Sequence, residues 1–112
     1  SVFVNSGSSA NLLAVAALFF KKNKPLKKGD EVIVPALSWS TTYHPLQQYG
    51  LKLKILDINI DTLNVDVEEI EKYITKKTKL IVAVGILGNP LNLKKLANIC
   101  KKKKYLPYGR QL

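Results

Sequence analysis

Cysteine occurs only once in this sequence, at Cys100, and long apolar runs are missing. A single thiol cannot form an internal disulfide framework, nor can it supply a zinc cluster of several cysteines. The longest apolar run covers residues 12–20, whereas a membrane-spanning helix needs about 20 residues. The start of the sequence shows no signal-peptide pattern. We therefore expect a soluble, cytoplasmic protein with no membrane association and no metal site.

Arginine is also scarce, although the formal net charge is +10. Such a charge favours nucleic acid or another polyanion as a partner. Only Arg110 is an arginine among the 18 basic residues, whereas phosphate and base recognition exploits the bidentate guanidinium group. The lysines lie in short groups scattered along the chain. Solvated surface lysines are the preferred interpretation, which makes nucleic acid an unlikely partner, and a small basic α/β module that binds a polyanion is the alternative.

Apolar segments with strand character alternate with helical patterns along the chain. The patterns predict strands at 2–4, 31–35, 51–58 and 80–84, and helices at 10–22, 41–48, 66–74 and 91–103. The continuous apolar run within the strand at 31–35 is typical of a buried parallel strand, while the alternation at 51–58 indicates a strand with one wet face near an edge. The helix at 10–22 is apolar nearly all round, so it should be buried. This order predicts an α/β fold with a mainly parallel sheet and alternating helices.

The turn between the first predicted strand and the first predicted helix has the sequence Asn-Ser-Gly-Ser-Ser at residues 5–9. Small residues let a backbone approach an anion, hydroxyl groups supply donors, and a helix N-terminus offers free N–H groups with a positive partial charge. The turn matches neither of the glycine motifs that bind dinucleotides and ATP. The pattern therefore fits a phosphate cradle, and it fits an ordinary serine-rich helix cap equally well.

Other residues with chemical potential are isolated. Trp39 follows the strand at 31–35 in a polar loop, at the sheet edge where open α/β sheets bind ligands, so its ring could stack on a planar ligand or pack partly buried. His44 has no acid, nucleophile or metal ligand at a meaningful spacing and is interpreted as a helix-start residue. Cys100 lies on the apolar face of the last helix and is interpreted as an inert core thiol. Asn89 belongs to a turn after the fourth strand, either as a ligand contact or as a plain turn residue.

Several motifs in register resemble the sugar aminotransferase and dehydratase family of pyridoxal-phosphate enzymes, which has the fold type I, aspartate-aminotransferase-like architecture. They are Asn-Ser-Gly-Ser-Ser-Ala-Asn-Leu-Leu-Ala at 5–14, Gly-Asp-Glu-Val-Ile-Val-Pro-Ala at 29–36, Trp-Ser-Thr-Thr at 39–42, Asp-Thr-Leu-Asn at 61–64, Thr-Lys-Leu-Ile at 78–81 and Leu-Gly-Asn-Pro at 87–90. The first and last of these forms are more similar to the 3-dehydratases of nucleotide-linked 4-keto-6-deoxyhexoses than to the plain aminotransferases.

The resemblance implies a function in nucleotide-sugar metabolism, such as the biosynthesis of deoxysugars, lipopolysaccharide or O-antigen. It implies pyridoxal 5'-phosphate as the cofactor, a nucleotide-linked 4-keto-6-deoxyhexose as the substrate and a homodimer for the full-length enzyme. Residues 1–106 are expected to form part of the large, cofactor-binding domain, and residues 107–112 a divergent or truncated tail.

The resemblance also implies roles for individual residues. Gly7, Ser8 and Ser9 are expected to hold the cofactor phosphate, and Trp39 to stack on its pyridine ring. The family's partner for the pyridine nitrogen is an Asp on the strand after the last helix, and its Schiff-base Lys, or the dehydratase His in that place, lies farther on. None of these is found in the sequence, because residues 105–112 depart from the family pattern. The resemblance therefore implies an enzyme fragment without catalytic residues and with little or no turnover of its own.

Overall fold

The computed structural model describes residues 1–102, so the expected tail at 107–112 lies outside the described residues. The elements in chain order are α1 (Gly7–Phe20), β1 (Glu31–Pro35), α2 (Ser40–Gln48), β2 (Lys52–Leu56), α3 (Val67–Tyr73), β3 (Thr78–Ile81), a short 3-10 turn (Ile86–Gly88) and α4 (Leu93–Lys102). No helix among residues 1–102 combines the length and the hydropathy that a membrane span requires.

The sheet is parallel throughout and has the strand order β2-β1-β3. The central strand β1 pairs with both neighbours, and its residues Val32, Ile33 and Val34 are at most 1% exposed. A strand that is covered on both faces needs a continuous apolar sequence, and β1 has one. Strand β2 lies at an edge, where its Ile55 is 61% exposed. The predicted α/β fold with a mainly parallel sheet is confirmed.

The strand predicted at residues 2–4 is wrong. Val2, Phe3 and Val4 are exposed, and no strand of the described residues pairs with them. A strand exists only through hydrogen bonds to a neighbouring strand, so an apolar run of strand-forming residues is insufficient by itself. Three strands therefore alternate with the helices in the part of the chain that the structure describes, where the sequence patterns predicted four.

Two apolar clusters cover the two faces of the sheet. On one face the sheet residues Ile33, Leu56 and Ile81 pack against α3 and α4. Val32, Val34 and Leu80 face the other way and pack against α1 and α2. The helices contribute Val67, Ile70, Leu96, Ile99 and Cys100 to the first cluster and Val15 and Leu46 to the second. Burial raises the pKa of the Cys100 thiol, as expected for a core cysteine rather than a nucleophile.

Helix α1 is less buried than its apolar sequence predicts. Val15 is its only buried residue, while Leu13 is 47% and Phe20 is 83% exposed. The reason is geometric, because within residues 1–102 the sheet and α2 pack on one side of the helix, where Val15 lies. An apolar surface of this kind is usually covered by another part of a protein.

The start of α1 lies earlier than the predicted start at residue 10. Ser6 caps the helix, since its Oγ accepts a hydrogen bond from the backbone N–H of Ser9 at 3.2 Å. The Ser6 carbonyl oxygen accepts from the N–H of Ala10 at 3.1 Å. The Ser9 hydroxyl donates in turn to Oδ1 of Asn5 at 2.6 Å. The serine-rich turn is therefore a genuine helix cap, and the cap brings Gly7 into the first helical turn.

Substitution of Ser6 by alanine should destabilise the chain by about 0.5–2 kcal/mol, because it removes the cap of α1. Ser8→Ala is the matched control and should change the free energy of unfolding by less than about 0.5 kcal/mol, because the Ser8 hydroxyl makes no hydrogen bond within residues 1–102. Urea unfolding followed by circular dichroism measures both variants. Equal effects of the two substitutions would contradict the assignment of Ser6 as the cap.

Shortening a buried isoleucine of β1 should be more harmful than shortening an exposed one. Ile33 is 1% exposed and Ile60 is 84% exposed. We expect Ile33→Val to lower the free energy of unfolding by about 0.5–1.5 kcal/mol, because a methyl group is lost from a packed core. Ile60→Val should stay within about 0.5 kcal/mol of the parent. Similar urea midpoints for both variants would show that β1 is not the centre of the core.

Candidate functional site

The carboxyl ends of the three parallel strands meet at one edge of the sheet. Residues 36–39 follow β1, residues 57–66 follow β2 and residues 82–92 follow β3. The connection from β1 to β2 uses α2 on one face, and the connection from β2 to β3 uses α3 on the other face. Such a reversal creates a crevice between the ends of β1 and β3, which is where open α/β sheets bind ligands.

The first turn of α1 carries hydrogen-bond donors that the protein itself does not use. Within residues 1–102, the backbone N–H of Gly7, the backbone N–H of Ser8 and the Ser8 hydroxyl donate to no protein atom. A Cβ atom built on Gly7 would meet no atom within 4 Å, so the space beside this backbone is open. Free donors at a helix N-terminus suit a phosphate group. The geometry fits the predicted cradle at Gly7 and Ser8.

Ser9 differs from its neighbours. Both its backbone N–H and its hydroxyl hydrogen are donated within the turn, to Ser6 and to Asn5. Its contribution to a phosphate site would therefore be to hold the turn in shape. The role of Ser9 as a phosphate ligand stays a prediction.

Trp39 occupies the position just before α2, and its ring is 81% exposed. Its backbone carbonyl accepts a hydrogen bond from the N–H of Thr42 at 2.9 Å, whereas its side chain has no capping role. Among the described residues, an indole with this exposure is not part of the core. A large, exposed aromatic face in the loop after β1 is able to stack on a planar ligand.

Two hydrogen bonds fix the start of α2, which Trp39 immediately precedes. The Asn11 side-chain amide of α1 donates to the Thr41 carbonyl oxygen at 3.2 Å. The Tyr43 hydroxyl donates to the carbonyl oxygen of Pro35, the last residue of β1, at 2.7 Å. Burial raises the pKa of Tyr43, so its hydroxyl keeps the proton that it donates. The first turn of α1, where the cradle is predicted, and the loop of Trp39 therefore belong to elements that are hydrogen-bonded to each other.

A shallow cavity of about 230 Å³ lies between α1 and α2. It is lined by Ser8, Ser9 and Leu12 of α1 and by Thr41, His44, Pro45 and Gln48 of α2. His44 thus shares a cavity with the serines of the predicted cradle, a proximity that sequence reasoning missed. The all-round apolar character of α1 was the only available signal that another helix packs beside it. No group of three or more His, Cys, Asp or Glu side chains among residues 1–102 has the arrangement of a metal site.

The side chain of Asn89 is already engaged in the protein. Its amide Nδ2 donates to the Thr62 carbonyl oxygen at 3.1 Å, and the backbone carbonyl oxygen of Asn89 accepts from Nδ2 of Asn64 at 3.2 Å. Of the two interpretations left open for Asn89, the structure therefore favours a turn residue that joins two loops.

Comparison with curated proteins finds relatives in nucleotide-sugar metabolism. The chain is 59% identical over 99 residues to a GDP-4-keto-6-deoxy-D-mannose 3-dehydratase of Escherichia coli O55:H7, which covers 88% of this chain and 26% of the relative. A GDP-4-keto-6-deoxy-D-mannose 3-dehydratase of Yersinia pseudotuberculosis is 56% identical over 92% of this chain and 26% of its own length. A GDP-perosamine synthase of Vibrio cholerae is 33% identical over 87% of this chain and 25% of that protein. The chain spans about a quarter of the length of the curated relatives it matches.

Solved structures agree with this relationship. The E. coli GDP-4-keto-6-deoxy-D-mannose-3-dehydratase with bound hydrated pyridoxal phosphate superimposes with a TM-score of 0.88 at 55% identity, over 96% of this chain and 27% of that one. A variant of GDP-4-keto-6-deoxymannose-3-dehydratase with bound GDP-perosamine gives a TM-score of 0.81 at 59% identity, over 87% and 25% of the two chains. The fold type I expectation is confirmed.

A model of the DegT/DnrJ/EryC1/StrS aminotransferase family matches residues 1–106. This match covers nearly the whole sequence, and it includes every motif on which the resemblance rested. The chain belongs to the DegT/DnrJ/EryC1/StrS aminotransferase family.

Proposed function

We propose that this chain forms the cofactor-phosphate-binding part of a pyridoxal-phosphate-dependent enzyme of nucleotide-sugar metabolism. The observation that carries the proposal is the first turn of α1, where Gly7 and Ser8 present donors that no atom of residues 1–102 accepts. The relationship to a dehydratase whose structure contains pyridoxal phosphate supports the choice of cofactor. The match of the family model to residues 1–106 supports the assignment of these residues to the large, cofactor-binding domain.

The proposed roles follow from the geometry of each residue. The N–H groups of Gly7 and Ser8, with the Ser8 hydroxyl, bind the phosphate, while Ser9 keeps the turn in its capped shape. Trp39 stacks on the pyridine ring and orients it. A bound pyridoxal phosphate supplies an electron sink for negative charge that develops on a substrate carbon. We assign binding and orientation to these residues and no proton transfer to any of them.

Among the reactions of the family we propose 3-dehydration of a GDP-linked 4-keto-6-deoxyhexose. Identity to the dehydratase relatives reaches 59%, whereas identity to a GDP-perosamine synthase of Vibrio cholerae is 33%. A Salmonella typhimurium relative named as a lipopolysaccharide biosynthesis protein, 44% identical over 99 residues, supports a role in making a cell-surface sugar.

We also propose that the longer protein to which this site belongs is a homodimeric, cytoplasmic enzyme. The apolar side of α1 that includes Leu13 and Phe20 is exposed, which supports the proposal that another polypeptide surface packs against it. Two observations count against the alternative of a small basic module that binds a polyanion. The named relatives act in sugar biosynthesis. In addition, Lys54, Lys72 and Lys95 form ion pairs with glutamates of the chain itself.

Binding of pyridoxamine 5'-phosphate tests the proposed function. Pyridoxamine phosphate carries an amine in place of the aldehyde of pyridoxal phosphate. It therefore cannot condense with the many lysines of the chain, and we prefer it as the probe. The only tryptophan, Trp39, reports binding through its fluorescence. We expect saturable quenching by pyridoxamine phosphate and none by pyridoxamine without the phosphate.

Ser8→Ala should weaken pyridoxamine phosphate about tenfold or more, because a hydrogen bond to a charged group contributes about 1.5–3 kcal/mol. Ser40→Ala is the matched control, since Ser40 is an exposed serine that begins α2.

The stacking role of Trp39 is tested by calorimetry, because the variant Trp39→Ala has lost the fluorophore. This variant should bind pyridoxamine phosphate more weakly than the parent chain if the ring stacks on the pyridine. A folded parent chain that does not bind pyridoxamine phosphate would refute the proposal. Salt-sensitive binding of an oligonucleotide that Ser8→Ala leaves unchanged would favour the polyanion module.

A further inference from the structure

The turn after β3 holds a leucine in a conformation that leucine avoids. The N–H of Asn89 donates to the carbonyl oxygen of Ile86 at 2.9 Å, and the two residues between them, Leu87 and Gly88, have φ values of 52° and 80°. Turns with two successive positive φ angles favour Asn and Gly. A γ-branched side chain at Leu87 costs conformational energy, and contacts within residues 1–102 do not offset that cost by burial, because Leu87 is 89% exposed.

A buried amide holds this turn in place. Asn64 is 4% exposed; its Oδ1 accepts from the N–H of Ile86 at 3.3 Å, and its Nδ2 donates to the carbonyl oxygen of Asn89 at 3.2 Å. The Asn89 side chain also joins the two loops, because its Nδ2 donates to the carbonyl oxygen of Thr62 at 3.1 Å. Both ends of the turn are thus clamped by one side chain from the loop after β2. Strained backbone persists only where the surroundings determine it in this way.

The clamped turn lies at the ligand edge of the sheet. Strand β3 is the direct neighbour of β1, and the chain stays bound to β1 as it leaves β3, because the N–H of Val82 donates to the carbonyl oxygen of Ile33 at 2.9 Å. The loop after β1 carries Trp39 and the loop after β3 carries Leu87. The loops that border the crevice thus each carry an exposed large apolar side chain.

We propose that Leu87 is a further contact residue of the cofactor site and that Asn64 is the residue that positions it. The ligand class is the planar, phosphorylated pyridine of the proposed function, on which this inference rests. An apolar side chain beside the pyridine ring contributes contact area and excludes water from it. A turn with two successive positive φ angles favours Asn or Gly at this position, so the backbone geometry of the turn does not itself call for leucine.

Leu87→Asn separates a contact role from a structural one. Asn tolerates positive φ, so the urea midpoint of the variant should equal or exceed that of the parent chain. Its affinity for pyridoxamine phosphate should nevertheless fall roughly threefold to tenfold, because an apolar contact is lost. Ile60→Asn is the matched control, since Ile60 is 84% exposed in the loop after the edge strand β2, and its affinity should be unchanged.

The positioning role of Asn64 is tested by a double-mutant cycle. Asn64→Ala should lower the affinity for pyridoxamine phosphate in the parent chain but have little further effect in the Leu87→Asn background, because both changes act on one contact. Additive losses would show that Asn64 acts independently of Leu87. Should Asn64→Ala fail to fold, the Leu87→Asn measurement still decides the contact role.

The outcomes distinguish this inference from the proposed function. Binding by the parent chain that Ser8→Ala weakens and Leu87→Asn leaves unchanged would overturn the role of Leu87 and retain the phosphate site. A folded parent chain that does not bind pyridoxamine phosphate would overturn both.

Discussion

The pairing of β1 with strands on both of its sides is the constraint on which the rest of this structure depends. Its residues Val32, Ile33 and Val34 alternate between the two faces and are almost completely buried, so each helical layer packs against the same strand. Hydrogen bonds to β2 and β3 satisfy the backbone of β1, which lets its apolar residues 32–34 lie inside the protein. Parallel pairing also brings three strand ends to one edge. The location of the candidate site is a consequence of this arrangement.

The serine-rich turn divides two tasks that look alike in the sequence. Ser6 and Ser9 direct their hydrogen bonds inward and build the helix cap, whereas Gly7 and Ser8 keep donors available. A turn that used every donor for its own stability could not bind an anion, and a turn without a cap would not hold the helix end in place. The interpretations of an ordinary cap and a phosphate cradle are therefore compatible, because different atoms of the same turn serve each.

The loops after β2 and β3 show how a strained conformation is retained. The turn at Leu87 is largely exposed within the described residues, and the Asn64 amide is hydrogen-bonded to both of its ends. Because Asn64 is buried, its two hydrogen bonds are protected from competition by water, and a lost partner there would leave an unsatisfied polar group. The side chains of Asn64 and Asn89 therefore join the loops after β2 and β3 to each other.

The sequence by itself determined the α/β class, the central strand at 31–35, the edge character of β2 and the family motifs, because these depend on local periodicity and on residue types at fixed spacing. It also located the turn at Gly7 and Ser8 and the loop of Trp39. Only the tertiary structure decided that Val2 and its neighbours form no strand among the described residues, since strand formation needs a partner that a local pattern does not reveal. The approach of His44 to the serines and the clamp from Asn64 to the turn at residue 87 were decided there too, because both contacts join residues distant in sequence. Packing and hydrogen bonding between distant segments leave no periodic signal in a single sequence, and for that physical reason they could be found only in the folded chain.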